Sequence, residues 1–188
     1  MRKDFLKHID TTWTLFLDRD GVINERIWGG YVTKPDKYIF LPGVLDSIAF
    51  FTSVFNKIII VTNQQGIGKG IMTEEELNAV HDYMINEISL AGGKIDGIYY
   101  CPDLAGEIDN CRKPSVNMAQ KAESDFPEID LTKSIMVGDS PSDIEFGKNA
   151  GMHTVFVLHD NDDSASDISS DLKVKSLAEL KSIIKERF

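Results

Sequence analysis

Short apolar runs alternate with longer amphipathic stretches along this chain, and several runs end in polar residues. The runs cover residues 15–17, 57–61, 95–100, 134–137 and 153–158. Runs of this length without alternation are typical of strands buried on both faces of a parallel sheet. The pattern therefore predicts an α/β protein.

The stretches between the runs have the spacing of helices. We predict helices over residues 44–55, from Thr73 to about 90, from Ser115 to about 125, and from a cap at Ser140 or Ser142 to before Gly151. Apolar residues at Leu177, Leu180, Ile183 and Ile184 predict a final amphipathic helix. Residues 161–171 are rich in Asp and Ser and predict a surface loop. Neither a repeat nor a linker interrupts the chain, so we expect one domain over residues 1–188, with residues 1–11 as a polar extension.

Two acids follow the first run directly. Asp18 and Asp20 are separated by one residue and followed by Gly21. Ligands of open α/β sheets bind beyond the carboxyl ends of the strands, where these acids fall. A carboxylate pair of this kind suits Mg²⁺, while Asp and Gly are also common in surface turns. This stretch alone leaves both interpretations open.

Three later stretches repeat the pattern. The second run leads into Thr62, the pair Arg112-Lys113 precedes a helical pattern, and the fourth run leads into Gly138-Asp139. Acid pair, hydroxyl, lysine and second acid, in that order, resemble the four motifs of the haloacid dehalogenase superfamily of phosphohydrolases. The resemblance covers about residues 13–157.

Within that superfamily the chain is similar to the branch of D-glycero-D-manno-heptose 1,7-bisphosphate 7-phosphatases and histidinol phosphatases. The segments that carry this similarity are Asp18-Arg19-Asp20-Gly21-Val22-Ile23-Asn24, Thr62-Asn63-Gln64-Gln65-Gly66-Ile67, Gly97-Ile98-Tyr99-Tyr100-Cys101-Pro102 and Cys111-Arg112-Lys113-Pro114.

The resemblance implies a Rossmann-like doubly wound parallel sheet in a three-layer sandwich, and a set of site residues. The resemblance implies that Asp18 is the nucleophile, that Asp20 is the general acid and base, and that Thr62 and Lys113 hold the phosphoryl oxygens. It implies substrate contacts for Asn63 and Arg112, and Mg²⁺ ligands at Asp18, Asp139 and the backbone carbonyl of Asp20. Asp143 would lie beside Lys113 or a metal-bound water. Predicted elements fill the intervals between the motifs, so we expect no cap domain.

The loop after the third strand departs from the family pattern. Its relatives hold zinc there with Cys-x-His and Cys-x-Cys, whereas this chain has Cys101-x-Asp103 and Asp109-x-Cys111. Structural zinc favours thiolate and imidazole ligands, so we expect no zinc. Two cysteines make no disulfide framework, and we expect unligated thiols.

Two further loops could border the site. Residues 25–38 could contact a ligand, or pack back on the body, as aromatic residues such as Trp28 commonly do. The glycine-rich residues 66–70 lack the Ser or Thr that a phosphate-binding loop needs after Lys69, and we predict a flexible turn near the site.

Composition narrows the range of partners. The 188 residues carry a formal net charge of −10, which argues against nucleic acid. No run is long enough for a membrane span, and the N-terminus lacks a signal-peptide apolar region. We expect a cytoplasmic monomer that acts on a small phosphorylated metabolite, with positive charge from the metal, Arg112 and Lys113.

The sequence thus predicts a Mg²⁺-dependent phosphomonoesterase that forms an aspartyl-phosphate, with a heptose bisphosphate as preferred substrate. A histidinol-phosphate phosphatase, or a phosphatase for another small sugar phosphate, remains an alternative. A more remote one is a phosphate-binding module without activity.

Overall fold

The computed structural model describes residues 3–108, 110–159 and 168–187. Asp109 and most of the predicted loop over residues 161–171 lie outside the described residues. The strands are β1 Thr14–Leu17, β2 Lys57–Asn63, β3 Gly97–Cys101, β4 Ser134–Gly138, β5 His153–Val157 and β6 Leu172–Val174. The α-helices are α1 Val44–Val54, α2 Glu74–Leu90, α3 Asn117–Asp125, α4 Pro141–Asn149 and α5 Leu177–Lys185, and short 3-10 helices lie at Lys3–His8, Pro35–Lys37 and Leu131–Lys133.

The six strands form one parallel sheet in the order β3-β2-β1-β4-β5-β6. This is the order of a doubly wound fold, whose ligand crevice lies at the point where the strand order reverses. Here that point lies between β1 and β4, and Asp18 and Asp139 directly follow these two strands. The predicted fold class is confirmed, and the intervals between β1 and β3 contain one α-helix each and no inserted domain.

Alternate residues of each strand face opposite helix layers, as the two-residue period of a strand requires. Leu15, Ile58 and Val137 lie in one apolar cluster with residues of α1, α2 and α5. Phe16, Ile59 and Met136 lie in a second cluster with residues of α3 and α4. Strands buried on both faces explain the continuous apolar runs in the sequence.

Helix starts follow their capping residues. Thr73 and Glu76 form a capping box at the start of α2, which begins at Glu74. Ser140, one of the two predicted caps, is the N-cap of α4 and shares hydrogen bonds with Asp143. The predicted helix at Ser115 begins two residues later, at Asn117.

The N-terminal extension is part of the core. Phe5, Leu6 and Ile9 are buried, and the ring of Phe5 stacks on His153 of β5 at a centroid distance of 4.4 Å. None of the helices in the described residues has the length and apolar character that a membrane crossing requires.

Candidate active site

A pocket of about 460 Å³ opens at the carboxyl ends of β1, β2 and β4. Its lining includes Asp18, Asp20, Thr62, Asn63, Arg112, Lys113 and Asp143 of the predicted site, together with Arg26, Tyr31 and Lys69. The structure therefore brings most of the predicted site residues to one place, although they are far apart in the chain.

Lys113 lies at the centre of a buried chain of charges. Its Nζ is 2.7 Å from Asp18 Oδ1 and 2.6 Å from Asp143 Oδ1, and it also donates to the Val61 carbonyl at 2.8 Å. Burial alone would lower the pKa of Lys113, but the carboxylates of Asp143 and Asp18 raise it above its ordinary value. Lys113 therefore stays charged and fixes the position of Asp18.

The backbone of Lys113 is held by Asn63 at the end of β2. Its N–H donates to Asn63 Oδ1 at 3.0 Å, and Asn63 Nδ2 donates to the Lys113 carbonyl at 3.4 Å. Asn63 was predicted to contact substrate. It borders the pocket, but the structure places its amide on Lys113.

Burial and neighbouring carboxylates disfavour the ionised form of Asp18 more than Lys113 favours it. Burial raises the pKa of Asp18 to about 7, Lys113 opposes the rise, and the carboxylates of Asp143 and Asp139 add to it. Three buried carboxylates share this corner of the site. A further cation beside them would favour the ionised form of Asp18.

Asp20 is held by donors on both of its oxygens. Arg19 Nη2 donates to Oδ1 at 2.9 Å and to Oδ2 at 2.7 Å, Asn24 Nδ2 donates to Oδ1, and Gln64 Nε2 donates to Oδ2. Burial alone would raise the pKa of Asp20, but Arg19 and these donors bring it below its ordinary value. Asp20 is therefore ionised when the pocket contains no substrate.

Gln64, Arg19 and His81 hold Thr62 and Asp20 in position from the side away from the pocket opening. Gln64 Nε2 also donates to Thr62 Oγ1 at 2.9 Å, which links Thr62 to Asp20. The guanidinium of the fully buried Arg19 lies 3.4 Å from the His81 ring of α2. Burial and the nearby Arg19 lower the pKa of His81 to about 3, so this ring is neutral.

Asp139 follows β4 and has two partners. Its Oδ1 is 2.6 Å from Arg26 Nη2, and its Oδ2 is 3.0 Å from His159 Nε2, a contact that raises the pKa of His159. Gly21 makes this arrangement possible, because a Cβ there would lie 1.9 Å from Asp139 Oδ2.

The three implied metal ligands converge on one point. Arg26 Nη2 is 2.6 Å from Asp139 Oδ1, 3.1 Å from the Asp20 carbonyl oxygen and 3.9 Å from Asp18 Oδ2. This nitrogen of Arg26 carries positive charge and lies among three oxygen atoms, one from each implied ligand. Oxygen-only ligands of this kind fit Mg²⁺.

Exposed and half-buried residues lie around the mouth of the pocket. Trp28 is 80% exposed, so the interpretation that it packs back on the body is wrong. Its indole ring lies 5.6 Å from the Arg26 Cζ, and Lys69 in the glycine-rich turn donates to the Tyr31 hydroxyl at 3.1 Å. Arg112 borders the pocket and donates to the Asp103 carbonyl.

The expectation of unpaired thiols is wrong. Cys101 at the end of β3 and Cys111 form a disulfide, since the intervening loop folds back and brings their Cα atoms to 5.5 Å. Asp103 lies beside them, within 4.8 Å between ligand atoms. The expected absence of zinc stays a prediction.

Sequence analysis overlooked Arg19, Arg26, Gln64, His81 and His159. Arg19 stands between the two acids of the first motif, and Gln64 stands two residues after Thr62, so proximity to the motifs was an available signal. Nothing in the local sequence indicates that Arg26, His81 or His159 approaches the acids.

The parallel sheet with an acidic site at its switch point is the arrangement of the haloacid dehalogenase class of hydrolases, to which known proteins similar to this chain belong. A family model described as HAD-hydrolase-like matches residues 110–180. A heptose-1,7-bisphosphate 7-phosphatase of Burkholderia mallei is 38% identical over 80% of this chain and 82% of its own. One of Campylobacter jejuni is 39% identical over 79% of this chain and 84% of its own.

A solved structure shows the same relationship. The D,D-heptose 1,7-bisphosphate phosphatase of B. bronchiseptica, complexed with magnesium and phosphate, has a TM-score of 0.84 at 29% identity and covers 94% of this chain and 99% of its own. The chain belongs to the heptose-1,7-bisphosphate 7-phosphatase family, whose members are phosphoric monoester hydrolases.

The disulfide generates a prediction about stability. Cys111→Ala should lower the free energy of unfolding by about 2–3 kcal/mol, because the unfolded chain regains the freedom of the loop. Denaturant unfolding without reductant measures the loss. The control is the same comparison with reductant, where the two proteins should converge. An undiminished difference under reductant would show that the bridge is not its cause.

His81 generates a prediction about pH. Its folded pKa of about 3 lies below the ordinary value of 6.5, so between these values the unfolded state binds more protons and stability falls as pH falls. The contribution reaches about 1.4 kcal/mol per pH unit. His81→Gln should flatten the curve of unfolding free energy against pH over this range. Parallel curves for His81→Gln and wild type would contradict the prediction.

Proposed function

We propose that this protein is a Mg²⁺-dependent phosphomonoesterase that removes the 7-phosphate of a D-glycero-D-manno-heptose 1,7-bisphosphate. The observation that carries the proposal is the buried Asp18, paired with Lys113 and adjoining a convergent set of oxygen ligands at the floor of the pocket. The names of the relatives support the substrate class. All described strands belong to one sheet, which supports a single catalytic domain.

The metal would be held by Asp18, the backbone carbonyl of Asp20 and Asp139. When bound, Mg²⁺ supplies positive charge that lets an anionic nucleophile approach an anionic phosphate. The same charge would offset the crowding of carboxylates that raises the pKa of Asp18.

Asp18 is the proposed nucleophile. One of its carboxylate oxygens forms a bond to phosphorus while the bond from phosphorus to the substrate oxygen breaks, which leaves an aspartyl-phosphate. Lys113 and Thr62 would hold the phosphoryl oxygens, whose charge is redistributed in the transition state. Asp143 keeps Lys113 in place through its 2.6 Å contact.

Asp20 is the proposed general acid and base. A phosphate beside Asp20 raises its pKa, because two negative charges disfavour each other, and this is the direction that an acid requires. The protonated Asp20 gives its proton to the departing alcohol oxygen. It then takes a proton from the water that attacks phosphorus and releases Asp18.

Specificity would come from the rim, since no inserted domain covers the pocket between β1 and β3. Lys69 and Arg112 line the pocket of an otherwise acidic protein at some distance from the acids, and Arg26 lines it beside them. They can attract and orient the second phosphate of a bisphosphate.

The nucleophile gives the direct test. Asp18→Asn should retain the fold and lose several orders of magnitude in turnover, because the amide lacks the attacking charge. The measurement is phosphate release from both anomers of the heptose bisphosphate and from histidinol phosphate, with and without Mg²⁺. Near-normal turnover in the variant would contradict the covalent mechanism, and preference for histidinol phosphate would contradict the substrate.

Arg112 gives a test of selectivity. Arg112→Ala should lower kcat/KM for the heptose bisphosphate more than for a small aryl phosphate, by about one to two decades in the ratio. Arg112→Lys is the matched control, which keeps the charge and loses the paired donors. An unchanged ratio in Arg112→Ala would show that this side chain does not contact the sugar bisphosphate.

A further inference from the structure

We propose that Arg26 is a built-in competitor of the catalytic cation, and that its guanidinium must leave the acidic cluster before a metal can bind. The proposal rests on the proposed function in one respect, which is the location of the metal. It adds that metal binding and the position of the loop bearing Arg26 are linked.

The contacts of Arg26 place it on the metal ligands. Its Nη2 donates to Asp139 Oδ1 and to the Asp20 carbonyl oxygen, and lies 3.9 Å from Asp18 Oδ2. Mg²⁺ binds oxygen at about 2.0–2.1 Å. An ion at that distance from the same oxygens would overlap the guanidinium, and the two positive charges would repel each other. The oxygens can therefore serve only one of the two cations at a time.

The charge balance explains why a side chain occupies this position. The Asp139 side chain is only 1% exposed, and a buried carboxylate without a positive partner is costly. Lys113 pairs with Asp18 and Asp143, so it does not neutralise Asp139. His159 contacts Oδ2 of Asp139, and Arg26 supplies the permanent positive charge at Oδ1, a role that a metal would take over.

Arg26 has room to leave. Its side chain is 30% exposed, and its ion pairs among the described residues are with Asp18 and Asp139. The exposed ring of Trp28, 5.6 Å from Cζ, contacts the guanidinium from the solvent side. Arg26 lines the pocket, so a guanidinium displaced from the acids would still add positive charge near an anionic substrate.

The test measures metal binding directly. Calorimetric titration of the metal-free full-length protein with Mg²⁺ should give a Kd about tenfold or more lower for Arg26→Gln than for wild type, because a charge-assisted contact no longer competes. Trp28→Leu, at an exposed position, should lower the Kd by a smaller factor of about two to five, since it weakens the hold on Arg26. Lys69→Gln removes a pocket cation that does not contact the ligands, and should change the Kd by less than about twofold.

The melting temperature in chelator provides a second readout, in which Arg26→Gln should weaken the protein although it strengthens Mg²⁺ binding. In chelator, Arg26→Gln should melt at a lower temperature than wild type, because Asp139 loses a partner. In saturating Mg²⁺ this difference should shrink or reverse. A residue with only a structural role would lower the melting temperature without tightening Mg²⁺ binding.

The outcomes separate this inference from the proposed function. An equal or higher Kd in both Arg26→Gln and Trp28→Leu would overturn the competition while leaving the phosphatase intact. Tighter Mg²⁺ binding by proteins that release no phosphate from any substrate would support the competition and contradict the function. If no protein bound Mg²⁺, the metal site and this inference would both be wrong.

Discussion

The buried ion pairs of Lys113 are the interaction on which the rest of the site depends. One ammonium group joins Asp18, which follows β1, to Asp143 in α4, and Lys113 itself follows β3. A buried charge is costly without a partner, and its removal leaves the remaining charges unpaired. These three segments therefore have to assemble together, and the strand order that places β1 beside β4 is what allows it.

The same constraint governs Asp20. Arg19 is fully buried beside it, and its guanidinium contacts both oxygens of the carboxylate. Arg19 therefore neutralises the carboxylate that follows it in the chain. Asp18 pairs with Lys113 but keeps a raised pKa, whereas Arg19, Asn24 and Gln64 hold Asp20 and keep its pKa low. Two carboxylates of one motif thus acquire different pKa values from their surroundings, and the proposed roles require a cation beside Asp18 and an anionic phosphate beside Asp20 to shift both.

Local compensation also explains how an acidic protein can take an anionic substrate. The chain has a formal net charge of −10, yet Arg26, Lys69, Arg112 and Lys113 all line one pocket. Coulomb interactions at pocket distances outweigh those with distant surface charges, which salt screens within about 10 Å. The balance of charge at the site is therefore decided by a few side chains, and Arg26 is the one whose position a metal would change.

The sequence by itself determined the order of β1 to β5, the helices between them and the positions of the motif residues Asp18, Thr62, Lys113 and Asp139. The elements follow from local properties, because buried strands need continuous apolar runs, and the motif residues follow from the resemblance to the superfamily. It missed β6, whose three residues are too few to show a period, and the Cys101–Cys111 disulfide. Tertiary structure alone decided that Arg19 is buried, that Trp28 is exposed and that Arg26 reaches Asp139. Each of these depends on which distant segment comes to lie alongside, and residue type and local spacing carry no information about that.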